Sequence, residues 1–152
     1  MPVLHLGVTE QSYGDVATKD GNKITAGAPS TGDVAQWLED KYGLMQAFFN
    51  AHETDIAGAL EQSVGDTLEA LLMGAPPQAD AFGAGASKIE EMFKDFISSR
   101  EAEQVGIPGT PTGAALRGVN HRLKHPYAKG NPRRPSFRDT SLYVSSFKCW
   151  VD

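Results

Sequence analysis

At 152 residues the chain is long enough to bury the core of one domain, and 40% apolar and 22% charged residues with sixteen Gly and nine Pro describe a loop-rich globular protein. One cysteine, Cys149, excludes an intrachain disulfide framework and a multi-cysteine zinc site; no apolar run approaches the ~20 residues of a membrane span, and Met1–Val8 lacks the basic and long apolar regions of a signal peptide. The net charge of −5 is unevenly divided: residues 1–103 carry six Lys/Arg against seventeen Asp/Glu, net −11, and residues 104–152 carry eight against two, net +6. This division suits head-to-tail pairing of copies, a basic end turned toward nucleic acid, or neutralisation within one monomer.

Residues 1–30 read as an extended arm or hairpin. Pro2–Val8 alternates Val3, His5 and Gly7 against Leu4, Leu6 and Val8, the pattern of a short strand. The following Gly/Thr/Asp-rich stretch has a turn signal at Asp20-Gly21-Asn22, with Val16 and Ile24 as its few apolar anchors. Residues 31–104 read as a helical body. Thr31 is placed as N-cap ahead of Asp33. Apolar residues then recur at helical spacing from Val34, Trp37 and Leu38 through Phe48, Phe49, Ile56 and Leu60 to Leu68, Leu71 and Leu72. Weak helix formers at Asn50, His52, Thr54 and Asp55 predict two helices or one bent helix over Asp33–Met73, ended by Gly74-Ala75-Pro76-Pro77. A third helix is predicted over Ala86–Glu103, with Ser87 and Glu90 as a capping box and Ile89, Met92, Phe93, Phe96 and Ile97 inside. The expected core includes Trp37, Phe48, Phe49, Leu60, Leu68 and Phe93.

Residues 105–152 read as a basic loop and a C-terminal β segment. Gly106–Gly113 lacks the G-K-[ST] ending of a phosphate loop and is a connector. Thr112–Lys124 is predicted as a short fourth helix, with Ala114, Ala115, Leu116, Val119 and Leu123 inside. His121 and His125 have the spacing of two metal ligands on one helix face, but no third ligand accompanies them and Pro126 draws His125 out of the helix. No nucleophile elbow, dinucleotide fingerprint or spaced Cys–His pair is present, and the paired carboxylates Glu39-Asp40 and Glu90-Glu91 point to different sides of their helices. The last stretch turns aromatic and β-branched, and Ser145-Ser146 predicts a bulge or turn splitting two strands. Asp139-Thr140-Ser141 reads as a turn in which Asp139 bonds amides two residues on. The fold class expected is α+β: three or four helices in one domain, with a small β element from the two ends.

The run Arg134-Pro135-Ser136-Phe137-Arg138-Asp139-Thr140-Ser141-Leu142-Tyr143-Val144-Ser145-Ser146-Phe147 resembles the segment P-x-x-D-T-G-x-L-x-x-S-[IF] of neck, tail-completion and virion morphogenesis proteins of long-tailed bacteriophages. There too a helix ending in A-P comes earlier, as in Gly74-Ala75-Pro76 here. Ser141 stands where the motif has glycine, a whole helix separates A-P from the motif, and little chain follows it. The resemblance implies a non-enzymatic structural subunit without cofactor, metal, small-molecule ligand or membrane contact. It implies a ring-forming, tail terminator-like protein at the head–tail junction, or another tail or baseplate component, made in the bacterial host's cytoplasm and incorporated into the virion. Its partners would be copies of itself, neighbouring neck, tail tube or sheath proteins, and packaged DNA. Assembly contacts are expected from Arg133, Arg134, Phe137, Arg138, Asp139, Thr140, Leu142, Tyr143, Phe147 and Trp150, and Ser141 is expected at positive φ. The rival readings are a nucleic-acid module using Arg117, Arg122, Lys124, Lys129, Arg133, Arg134, Arg138 and Lys148 with Tyr127 and Phe137 for stacking, and an enzyme whose site forms between subunits.

Overall fold

Ser30, rather than Thr31, starts the helical body. In the computed structural model, which describes residues 1–13 and 29–152, the Ser30 hydroxyl accepts from the Asp33 amide and the Asp33 carboxylate accepts from the Ser30 amide, a reciprocal capping box. Thr31 is the first residue of helix α1 (Thr31–Tyr42) and is fully buried, its hydroxyl donating to the Thr9 carbonyl at 2.7 Å. The predicted hairpin through Asp20–Asn22, with Val16 and Ile24, lies outside the described residues.

The long apolar pattern divides at Gly43, which takes the left-handed conformation (φ 60°), caps α1 and opens helix α2 (Leu44–Leu72). A second break falls inside the predicted window: His52 has non-helical angles (φ −120°, ψ 16°) and bends α2. Helix α3 runs Gly83–Ser98, beginning before the predicted Ala86, so Ser87 lies inside it and caps nothing. Arg100, left-handed at φ 67°, separates α3 from a single turn, α4 (Glu101–Gln104).

The predicted fourth helix shrinks to one turn, α5 (Gly113–Leu116), capped by the Thr112 hydroxyl. Gly118 stops it: its φ is +66°, and a Cβ there would stand 2.5 Å from the carbonyl oxygens of Asn131 and Pro132. Leu116 and Leu123, expected inside, are consequently exposed (51% and 40%). The C-terminal segment is also corrected. It is one helical turn, α6 (Leu142–Ser146), followed by strand β2 (Phe147–Val151), not two strands. The serine pair ends the turn: Ser145 Oγ donates to the Leu142 carbonyl and Ser146 Oγ to the Tyr143 carbonyl, short-range bonds that offset weak helix propensity.

Strand β2 pairs antiparallel with β1 (Leu4–Val8), Leu4 opposite Val151 and Val8 opposite Phe147, and Val3 and Asp152 exchange two further backbone bonds. The fold is therefore α+β, with the two ends of the chain forming its sheet. The sheet lies on α3, where Phe147 stacks on Phe93 with ring centroids 3.9 Å apart. Phe48 meets Phe93 and Phe96 edge-on, and all four rings are fully buried. Two expected core residues are not core: Trp37 is 59% exposed and Leu68 55%. For Leu68 the reason is coverage. Helix α3 has 16 residues against 29 in α2, and its N-terminal turn meets α2 at Ala59 and Leu60, where Gly85 packs close. Phe49 and Leu60 are partly buried against the core.

Candidate functional site

The motif segment folds around a cleft of about 450 Å3 between α1 and the turn preceding α6. Val34, Leu38 and Phe137 give it apolar walls, and Arg134, Asp139 and Tyr143 also line it. Two of the three non-glycine residues with positive φ among those described, Phe137 and Ser141 (both 67°), stand at its rim. An aromatic side chain in the left-handed region costs on the order of 1–2 kcal/mol. Its ring is held there by an edge-on contact with Tyr42, centroids 5.0 Å apart. Ser141 shares the conformation, and its hydroxyl accepts from Arg138 Nε at 3.2 Å and Arg122 Nη1 at 3.4 Å.

Five of the ten sequence-selected residues, Arg134, Phe137, Asp139, Thr140 and Tyr143, line this cleft, and much of the set's bonding capacity is used inside the subunit. Arg134 donates through Nε to the Val119 carbonyl, and through Nη1 to the carbonyls of Pro135 and Arg138 at 3.1 Å each. Arg138 also reaches Ser98 Oγ at 3.4 Å. Arg133 pairs with Glu103, and Lys148, outside the motif, pairs with Glu90 at 3.0 Å. Asp139 does not bond the amides two residues on. It crosses to the basic loop, accepting the His121 amide at 2.8 Å and contacting His121 Nδ1 through its other oxygen. Thr140, not Asp139, bonds the amide two residues beyond itself, its Oγ1 accepting from Leu142 at 3.4 Å. Leu142 is half-buried; Tyr143 and Phe147 are buried. Trp150 lies on the outer sheet face, 46% exposed, with its ring parallel to that of His5 at 5.2 Å and across Gly7.

Three features carry no sequence signal of their own. Glu103 is a hub: its carboxylate, 6% exposed, accepts from the amide and hydroxyl of the buried Ser136 at 2.9 and 2.7 Å as well as from Arg133. Burial alone would raise its pKa, but the Ser136 bonds and the Arg133 charge outweigh that and hold it below the ordinary 4.5. His121 is the centre of a chain, Nδ1 on Asp139 and Nε2 at 2.9 Å from the Tyr127 hydroxyl, which ties the loop tip to the motif turn. Tyr143 buries a hydroxyl that has no hydrogen-bond partner among the described residues; burial, then the nearby Glu39 charge, raises its pKa.

Elsewhere, His52 is largely enclosed as a core histidine, its ring tilted against Phe48; Nε2 approaches Glu101 at 2.9 Å without the alignment of a hydrogen bond. Burial, and then the Glu90 charge, pushes the Cys149 thiol up to about 11, so it is an inert packing group. Among the described residues no three metal-ligating side chains converge, and no helix is long and apolar enough to cross a membrane. No family model, curated protein or solved structure matches the chain.

Proposed function

We propose that the chain is a structural subunit of a tailed-bacteriophage virion, a ring-forming neck or tail-completion protein at the head–tail junction, with no catalytic role. The observation that carries this reading is the conformation of the motif. Ser141 is left-handed (φ 67°) at the position where the resembled segment has glycine, the residue that adopts this conformation without strain. Around it the run from Arg134 to Phe147 forms the turn, the helical turn and the start of the strand that closes the chain on itself. A left-handed angle at this position is what a turn built for glycine requires, and it supports the likeness. The divided charge supports an assembling subunit on separate grounds.

Quantitative mass spectrometry and electron microscopy of purified phage particles test the reading. The protein is expected in a fixed multiple per particle, and removing Cys149–Asp152 is expected to block its incorporation while leaving most of the helical circular dichroism. Absence from particles, with the protein only free in the lysate, overturns it.

The nucleic-acid reading narrows in the structure. Of its eight cations, Arg133 and Lys148 are in ion pairs, Arg134 bonds protein carbonyls, Arg138 bonds the hydroxyls of Ser98 and Ser141, and Arg122 bonds the Ser141 hydroxyl, leaving Arg117, Lys124 and Lys129 without a hydrogen bond or ion pair among the described residues.

A further inference from the structure

Unpaired charge of opposite sign lies on two different elements, the tip of α2 and the loop after α5. Helix α2 passes the basic third near its start, where His52 Nε2 is 2.9 Å from Glu101 and where Glu103, two residues on, holds Arg133 and Ser136. From there α2 runs twenty residues to Leu72, about 30 Å at 1.5 Å per residue. Beyond Ser63 the helix leaves the cover of α3, and its tip exposes Leu68, Leu71, Leu72 and Met73, the last two at 79% and 85%. Glu61, Asp66 and Glu69 flank this apolar stripe, with Lys88 of α3 the neighbouring cation. The loop after α5 exposes Leu116, Leu123 and Tyr127 (51%, 40% and 73%) among Arg117, Arg122, Lys124 and Lys129. Each patch is therefore apolar and framed mainly by one sign of charge, and the signs are opposite. Glu103 and Glu90 neutralise Arg133 and Lys148 within the monomer, while Arg117, Lys124 and Lys129 of the loop have no ion-pair partner among the described residues.

We infer that copies of this chain bind head to tail, the acidic, apolar tip of α2 seating against the basic loop 116–129 of the next copy. A two-fold contact through either end alone would set like charges together, whereas one tip seated on one loop per junction is a heterologous contact, which propagates into a ring or a filament. The helix tip from Val64 to Met73 is only about 15 Å long. Such a patch falls short of the roughly 800 Å2 per partner of a stable pair, so an isolated dimer is weak and salt-sensitive and closure into a multimer is what holds it. The inference deepens the virion reading by assigning the surfaces through which a ring would close.

The test is sedimentation velocity of the full-length protein over a concentration series at low and high salt. The variants are a tip triple, Glu61→Lys/Asp66→Lys/Glu69→Lys, and a loop triple, Arg117→Glu/Lys124→Glu/Lys129→Glu. None of these six side chains has a hydrogen bond or ion pair among the described residues, so both variants are expected to keep the wild-type circular dichroism and melting temperature. Expected are self-association of the wild type that weakens with salt, loss of about ten-fold or more in association for either triple, and recovery when the two triples are mixed or combined in one chain. A second variant, Leu72→Ser/Met73→Ser, should weaken association without changing its salt dependence. A monomeric wild type at all concentrations, or a tip triple that associates normally, overturns the inference. So does a loop triple that loses duplex-DNA retardation yet self-associates as before, which would assign the loop to nucleic acid. Absence from virions leaves this solution result standing, so failure of the interface and failure of the virion reading are separable.

Discussion

Ser141 lets backbone strain and hydrogen bonding be separated at one residue. Ser141→Gly removes a left-handed penalty of about 1–2 kcal/mol but also the acceptor of two guanidinium bonds, so its stability is expected within about 1 kcal/mol of wild type. Ser141→Ala keeps the penalty and loses the same bonds, and is expected about 1–2 kcal/mol below wild type in urea unfolding. An alanine variant as stable as the glycine variant would show that the backbone there is unstrained. The positive φ was legible from the resemblance alone; the cross-strut from Asp139 to His121 was not, because eighteen residues of chain separate the partners and no local pattern marks them. Glu103 was hidden for the same reason. Its folded pKa is lowered, so the stability it gives is fully present above about 4.5 and is lost as pH falls through its lower folded value. Glu103→Gln should cost about 2 kcal/mol at neutral pH, and the gap to wild type should close in urea titrations carried into acid.

Among the elements, α2 shows how far periodicity reaches. The apolar stripe gave the helical run, Gly74-Ala75-Pro76-Pro77 its end and the weak formers around His52 the bend, but the break at Gly43 was missed. Periodicity did not reveal how much of the stripe a partner would cover, because the length and offset of α3 are tertiary facts. Leu68 therefore looked like core and is surface. The same limit shortened the predicted helix at Thr112–Lys124, where Gly118 is fixed by carbonyls thirteen and fourteen residues later. Two glycines of these helices should respond oppositely to alanine. A Cβ at Gly85 would stand 2.8 Å from the Ala59 carbonyl oxygen, so Gly85→Ala is expected to lose about 1–3 kcal/mol. Gly65 has open space around it in mid-helix, so Gly65→Ala is expected to gain about 0.5–1 kcal/mol. Paired thermal melts of the two variants check the packing of α3 on α2.

At the scale of the whole molecule, composition disclosed the divided charge and the apolar patterning the α+β class, and the structure adds which of those charges stay unpaired. The same scale contains a kinetic consequence of the terminal sheet. Leu4 meets Val151, so the strands find each other only after a loop of nearly the entire chain has closed, at an entropic cost of about 4 kcal/mol beyond the constant term. Contacts so distant in sequence form slowly. Joining Asp152 to Met1 through a short glycine-rich linker, and opening the chain in the exposed connector at Gln78–Ala79, would turn that long-range pair into a local hairpin while leaving its register unchanged. Stopped-flow refolding of this circular permutant is expected to be faster than wild type with little change in the unfolding rate; equal refolding rates would mean that the ends meet after the rate-limiting step. Because β2 is made more than a hundred residues after the strand it pairs with, Phe147 and Cys149 reach the core late, so on the ribosome the hydrophobic body stays partly uncovered until β2 emerges.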